Sequence, residues 1–358
     1  MFSVAAFFAG TRSREWFRPL LVRPNLRGFA DDSVLVLGAG DPQPFVSITA
    51  LAARRCPTGR DLYFEKRISP PSWSRFVLGK VVDALFVELY LAGTRILDDR
   101  LEVDPTGATL DLPALREAIT ENGRQIATEI MRKHVVEDRN YRNLPLDDYA
   151  VVCSSPEGAA TLIERTFQVL FDIIDHEVSA LLRLIEDERA ASDDWVPELR
   201  SAILQVQTGI KLDSKSKKAS RFGLNEGVRP DFVYGVTLVG DLKTDSYHSF
   251  YNTVAAGYSI FCEYVLQRRI NYAALLMVSI DIGESRVNSI DVHMIPVDDS
   301  IRTIWVTQRD SAREILRLPA EPQLPADLSA CPACPYNTHC WPAGIGIPTS
   351  PPVEVQHE

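Results

Sequence analysis

The sequence predicts an α/β (α+β) fold in which a core sheet flanked by helices carries a helical insertion, and three observations predict it. From 228 to 316 the apolar pattern runs strand, strand, helix, strand, strand, helix. Upstream, residues 104–210 repeat apolar positions at three- and four-residue steps. The chain has 358 residues, 46% of them hydrophobic and 24% charged, enough for a sizeable core.

In chain order, residues 1–45 form an N-terminal segment with no sustained period, punctuated by Pro19, Pro24, Pro42 and Pro44, and are expected to be irregular. The apolar opening from Met1 to Phe8 lacks a basic leader and is followed by Arg12, Arg14 and Arg18, so no signal peptide is read. Nor does any apolar run reach the ~20 residues of a bilayer span. With six cysteines, too few for a secreted disulfide scaffold, the expectation is a soluble, cytoplasmic protein with no membrane partner.

Residues 46–103 hold a short helical stretch, Ile48 to Ala53, that ends in a Cys56-Pro57-Thr58-Gly59 turn. A core helix then begins after Pro70-Pro71, with Phe76, Val77, Val81, Leu85, Phe86 and Leu89 on one face. Residues 104–210 are the helical insertion, with two or three helices between Pro113 and Leu204. One of these is long and runs through Leu162, Phe167, Leu170, Ile174 and Leu181.

Residues 211–318 are the core. Val228 to Tyr234 and Val236 to Asp241 alternate as strands around Tyr234-Gly235, an antiparallel hairpin. A helix from about Ser246 to Leu266 follows, then strands Tyr272 to Ile282 and Val287 to Pro296, then a helix from about Asp298 to Leu316. Pro319, Pro322 and Pro325 lead into a cysteine cluster within 319–345, and 346–358 reads as a disordered tail.

The hairpin carries the most informative chemistry. Asp231 stands at its start and Asp241-Leu242-Lys243 at its end, so pairing brings both carboxylates together while the alternation puts Asp241 and Lys243 on one face. Hydrolysis of a phosphodiester needs a divalent ion on hard oxygen ligands, an activated water, and positive charge against the developing phosphate charge. Asp231, Asp241 and the Leu242 carbonyl are candidate ligands for Mg²⁺ or Mn²⁺, and Lys243 is the candidate to orient the water or stabilise the transition state. Taken alone, such a short pattern also fits solvated residues near strand ends.

Cys331, Cys334 and Cys340 form a C-x₂-C-x₅-C run in a Pro-rich, turn-rich setting, and a fourth ligand must come from elsewhere. Cys56 is the natural candidate and His339 a rival; Cys153 and Cys262 lie among apolar residues that suit packing. Four such ligands fit a [4Fe–4S] cluster or a zinc ion, and spacing does not decide between them.

The formal net charge of −10 provides no positive field over the whole molecule, so any DNA contact needs a local patch. Lys211, Lys215, Lys217, Lys218 and Arg221 form the best one, although such lysine-rich runs are also common as solvated loops.

Together, one distant cysteine, three clustered ones and the Asp231, Asp241, Lys243 constellation resemble the RecB-like, iron–sulfur exonuclease family associated with CRISPR loci. Several of the chain's segments look like the archaeal type I-A branch. The likeness spans about 46–341, on Cys56 to Tyr63, on Leu78-Gly79 and on Arg229 to Tyr264, and is weakest in the helical insertion. It implies a PD-(D/E)xK restriction-endonuclease-like core with a [4Fe–4S] cluster on Cys56, Cys331, Cys334 and Cys340.

Three positions depart from the family pattern. Asp83 stands where relatives have a metal-binding histidine, Asp241 where they often have glutamate, and Val254 where a glutamine precedes the tyrosine matched by Tyr258. The resemblance implies trimming of single-stranded DNA, or of overhangs, before a CRISPR integrase inserts the fragments. Two other readings are a RecB-type repair nuclease outside CRISPR and a non-catalytic subunit that binds DNA or the integrase.

Overall fold

The computed structural model describes residues 1–10, 20–29, 37, 46–48, 51, 56–65, 67–68, 74–133, 156–208, 219–224, 228–235, 237–244, 247–281, 283–329, 331, 334 and 336–341. Its helices are α1 (Phe2–Gly10), α2 (Arg60–Glu65), α3 (Ser74–Val103), α4 (Leu112–Met131), α5 (Pro156–Ala191) and α6 (Trp195–Leu204). These are followed by β1 (Val206–Thr208), β2 (Phe232–Tyr234), β3 (Leu238–Lys243), α7 (Tyr251–Leu266), β4 (Tyr272–Asp281), β5 (Arg286–Pro296), α8 (Asp299–Arg317) and α9 (Asn337–Cys340). Among the described residues, no helix is long and apolar enough to cross a membrane.

The five strands lie in sequence order in one mixed sheet. β1–β2, β2–β3 and β4–β5 are antiparallel, and β3–β4 is parallel. The parallel step needs a crossover, which α7 supplies. The alternation expected of 228–241 is therefore realised as a hairpin whose first strand is only three residues long.

Alternate residues divide between two cores. Phe232, Leu238, Leu242, Ala274, Leu276 and Val278 face a cluster shared with α1, α3, α4, α5 and α6. Val233, Val239, Ala273, Leu275, Met277 and Ile295 face the cluster built from α7 and α8. The described helices of the segment 104–210, expected as an insertion, thus share a continuous core with one face of the sheet. Within α3, Val81, Leu85, Phe86 and Leu89 are buried, as the period predicts.

Local chemistry explains where the helices start and stop. Asp111 caps α4 by accepting from the Ala114 N–H at 3.1 Å, with Pro113 in the first turn. Asp298 caps α8 by accepting from Ile301 N–H at 3.1 Å. The turn after α3 holds Gly107 at φ +66°, where a Cβ would lie 2.1 Å from the Trp195 ring, so both the backbone angle and the packing call for glycine.

Two expectations change. Residues 2–10, expected to be irregular, form α1, which buries Phe2, Val4, Ala5 and Phe8 and stacks Phe8 on Tyr234 at 4.2 Å. A helix apolar on nearly every side has no polar stripe from which a period can be read. The Met1 amino group pairs with buried Glu177, which also accepts from Phe2 N–H at 2.6 Å. The second change is β1, an edge strand of three residues within a segment expected to be helical.

A buried ion network ties the sheet to α7 and α8. Glu263 accepts from Arg27 Nη1 at 2.5 Å, from Arg302 Nη1 at 2.9 Å and Nη2 at 3.1 Å, and from Gly28 and Ile270 N–H at 3.0 Å each. Arg302 also donates to the carbonyls of Leu26, Val297 and Ile270. A charge withdrawn from water this completely is tolerated only because its oxygens are all engaged.

Candidate functional site

Pairing of β2 with β3 sets Phe232 opposite Gly240, so Asp231 and Asp241 fall side by side one step further along. Gly240 permits this closeness: a Cβ there would lie 1.9 Å from the Phe232 ring that crosses over it. Asp231 N–H donates to Gly240 O at 3.1 Å, and Leu242 N–H donates to Asp231 Oδ2 at 2.6 Å, which fixes both ends of the carboxylate's segment.

Asp241 is buried and forms an ion pair with Lys243, Nζ to Oδ2 at 2.5 Å. The Lys243 ammonium also donates to the Leu242 carbonyl at 3.1 Å and stands 5.5 Å from the Tyr251 ring centre. The carbonyl expected as a metal ligand is thus engaged by the lysine in this structure.

Asp83 reaches the same place from α3, whose Gly79 would carry a Cβ 3.7 Å from Thr244 at the end of β3. Its carboxyl is shifted upward, first by burial and also by the negative charge of Asp241; Arg229 and Lys243 oppose the shift. The Asp231 carboxyl is held well above the usual carboxylate range, first by burial, then by Asp241 and Asp83. In the same negative surroundings, burial raises the Tyr258 hydroxyl far beyond its ordinary range. The buried Oδ1 of Asp83 has no hydrogen-bond partner, and the buried Oδ2 of Asp241 is met by the Lys243 ammonium alone. Three carboxylates face one another with less positive charge than they need, and a divalent cation on hard oxygen ligands is the chemistry that would relieve them.

The cysteines gather at a second place. Cys56, Cys331, Cys334 and Cys340 line one cavity together with Arg60 and Asp61. The Cys56–Gly59 turn closes with Gly59 N–H donating to Cys56 O at 2.9 Å and leads into α2, so Cys56 precedes this helix. Arg60 donates from Nε to Cys340 Sγ at 3.4 Å, and its Nη2 pairs with Glu321 at 2.6 Å. Phe64 packs against Tyr336 at 5.8 Å, joining α2 to the C-terminal turn. Burial raises the Cys334 thiol to about 11, with neighbouring Cys340 and Cys56 adding to the shift.

The donor chemistry of both groups fits a metal or cluster, sulfur donors around one cavity and carboxyl groups at the β2–β3 hairpin. Among the described residues, however, no three His, Cys, Asp or Glu side chains stand ready to hold a metal ion. The donors are neighbours without forming a closed coordination shell.

Other predicted residues fall elsewhere. His339 is exposed, its ring 6.0 Å from Phe64, and it is not part of the cysteine cavity's lining. Cys262 is fully buried in α7, as expected of a packing residue. Arg221 donates to the Tyr264 hydroxyl at 2.8 Å. Lys211, Lys215, Lys217, Lys218, Cys153 and the tail 346–358 lie outside the described residues. Val254 is buried at the position where glutamine was expected. Arg229 and Arg60 carried no assignment in the sequence, yet both bear on the two clusters; each stands within two to four residues of a singled-out Asp or Cys.

A mixed α/β protein whose central hairpin gathers acidic side chains around one lysine has the makings of a hydrolytic site. Residues 157–342, just over half of the chain, match the family model of the CRISPR-associated exonuclease Csa1, and the chain belongs to that family. No protein of curated function and no solved structure matches it.

Proposed function

We propose that this chain is a divalent-metal-dependent DNA exonuclease with a PD-(D/E)xK-type site, acting on single-stranded DNA or overhangs. In this reading it trims fragments for CRISPR adaptation, in contact with the integrase complex. The observation that carries the proposal is the side-by-side placement of Asp231 and Asp241 with Lys243 paired to Asp241. Membership in a family of CRISPR-associated exonucleases supports it.

Asp231, Asp241 and Asp83 would hold Mg²⁺ or Mn²⁺, with the Leu242 carbonyl joining them when Lys243 turns away. When bound, the ion supplies a water of lowered pKa and neutralises phosphate charge. Lys243 would donate its ammonium protons to the attacking water or to the developing negative charge on the phosphate. Tyr258 keeps its hydroxyl proton in this buried, negative pocket and is placed to donate it in a hydrogen bond rather than to act as a base. A [4Fe–4S] cluster on Cys56, Cys331, Cys334 and Cys340 would tie the start of α2 to the C-terminal turn.

The test is cleavage of end-labelled single-stranded DNA by anaerobically purified protein with Mn²⁺ or Mg²⁺, against Lys243→Ala and a chelator control. Metal-dependent shortening that falls by about 10²–10³-fold in the variant is expected. Equal activity of two folded proteins rules out the role given to Lys243, and equal inactivity rules out the nuclease assignment and leaves the DNA- or integrase-binding subunit as the better reading.

A further inference from the structure

Between β3 and α7 the chain places Tyr247, His248 and Phe250 in four residues. Tyr247 is 45% exposed and His248 is exposed as well. The Tyr247 ring is nevertheless fixed. Its hydroxyl donates to Asn252 Oδ1 at 2.8 Å, and the ring stacks on His293 with centroids 5.9 Å apart and planes 22° apart. His248 stacks on Phe250 at 5.1 Å and 12°.

Both stacks meet at Tyr251, whose ring centre lies 6.4 Å from that of Tyr247 and 5.7 Å from that of His248. Tyr251 in turn stands 5.5 Å from the Lys243 ammonium. His293 belongs to this face of the sheet, because Asp241 pairs with Leu275 and Leu275 with His293 across the three strands. The ring planes therefore form a shelf that begins at the lysine and runs out to solvent.

An aromatic ring pinned by a hydrogen bond and a stack, yet left wet, is pre-organised for a planar partner. Next to a lysine suited to a phosphate, that partner is a nucleobase, and only an unpaired strand offers base faces for stacking. We infer that Tyr247 and His248 stack the bases flanking the phosphate held at Lys243. The site thus selects single-stranded ends by their bases rather than by backbone charge. This inference rests on the nuclease reading above and specifies how that site takes its substrate.

The experiment measures binding of the full protein to an oligonucleotide carrying 2-aminopurine at its terminal positions, with Ca²⁺ as the divalent ion and no cleavage required. Stacking should quench the probe. Tyr247→Leu is expected to weaken single-strand affinity by about 5- to 150-fold and abolish the quench, while Tyr247→Phe, which keeps the ring and its stack but not the hold on Asn252, retains the quench with a smaller loss of affinity. His248→Ala should weaken it less. Blunt duplex should bind all four proteins alike. Abasic residues at the same positions should weaken the wild type to the level of Tyr247→Leu and cost that variant nothing further.

If Tyr247→Leu and His248→Ala bind as the wild type does, the shelf is overturned. A loss that is equal on duplex and abasic strands, or a wild type that binds no single strand, overturns it as well. A wild type that stacks the probe yet cuts nothing with Mn²⁺ contradicts only the nuclease reading; one that cuts while Tyr247→Leu binds normally contradicts only the shelf.

Discussion

Replacing Asp231 by asparagine should make the metal-free protein more stable and remove its response to metal. The variant keeps the side-chain shape and an oxygen to accept from Leu242 N–H, now 2.6 Å from Oδ2. It removes one of three carboxylates that raise one another's proton affinity. Two like charges ~4 Å apart at an effective dielectric of about 20 repel by about 4 kcal/mol. Lys243 and the Leu242 N–H offset part of this, so the variant should gain on the order of 1–2 kcal/mol without metal. With a divalent ion at ~100 times its Kd the order reverses, because the wild type gains about 2.7 kcal/mol and the variant loses a ligand. Urea unfolding followed by tryptophan fluorescence, in EDTA and in Mn²⁺, reads both effects.

The pH dependence has a definite sign. Folded Asp231 keeps its proton to a higher pH than the unfolded chain, where an aspartate titrates near its ordinary value of about 3.9. The folded state therefore binds more protons above that point, and metal-free stability falls as pH rises from there through the raised folded pKa. Asp231→Asn should flatten this slope. A variant less stable than the wild type in EDTA, or metal stabilisation equal in both, would refute the claim that these carboxylates share one ion.

Glu263→Ala leaves Arg27 and Arg302 buried without their carboxylate and should cost about 3–5 kcal/mol in urea unfolding; a smaller change than His339→Ala gives would contradict the network's role. Gly240→Ala pushes on the Phe232 ring and should cost about 1–3 kcal/mol of stability while lowering metal-dependent cleavage, measured on the same preparation. Cys56→Ser should lose bound iron or zinc by elemental analysis along with Cys340→Ser, whereas His339→Ala keeps it; retention by Cys56→Ser would point to a different fourth ligand.

Much of the fold can be read in the sequence because the relevant signals are local. Period-two alternation gave the hairpin and the β4–β5 pair, and the three- and four-residue steps gave α3, α5 and α8. The order of strands and helices followed from those periods. Asp231, Asp241 and Lys243 could be singled out because a hairpin is the shortest device that brings distant residues into register. α1 escaped because a helix apolar on nearly every side has no amphipathic period, and β1 because three residues at a sheet edge are too few to carry one.

What only the tertiary structure decided depends on contacts far apart in the chain. Cys56 lines one cavity with Cys331, Cys334 and Cys340, beside Arg60. Asp83 is carried by α3 into the negative field of Asp241. His293 arrives from β5 under Tyr247. Sequence determines which residues have the chemistry and which elements carry them. Whether such residues meet depends on how helices and strands pack, which is fixed by the burial of two cores on opposite faces of one sheet and not by any local pattern.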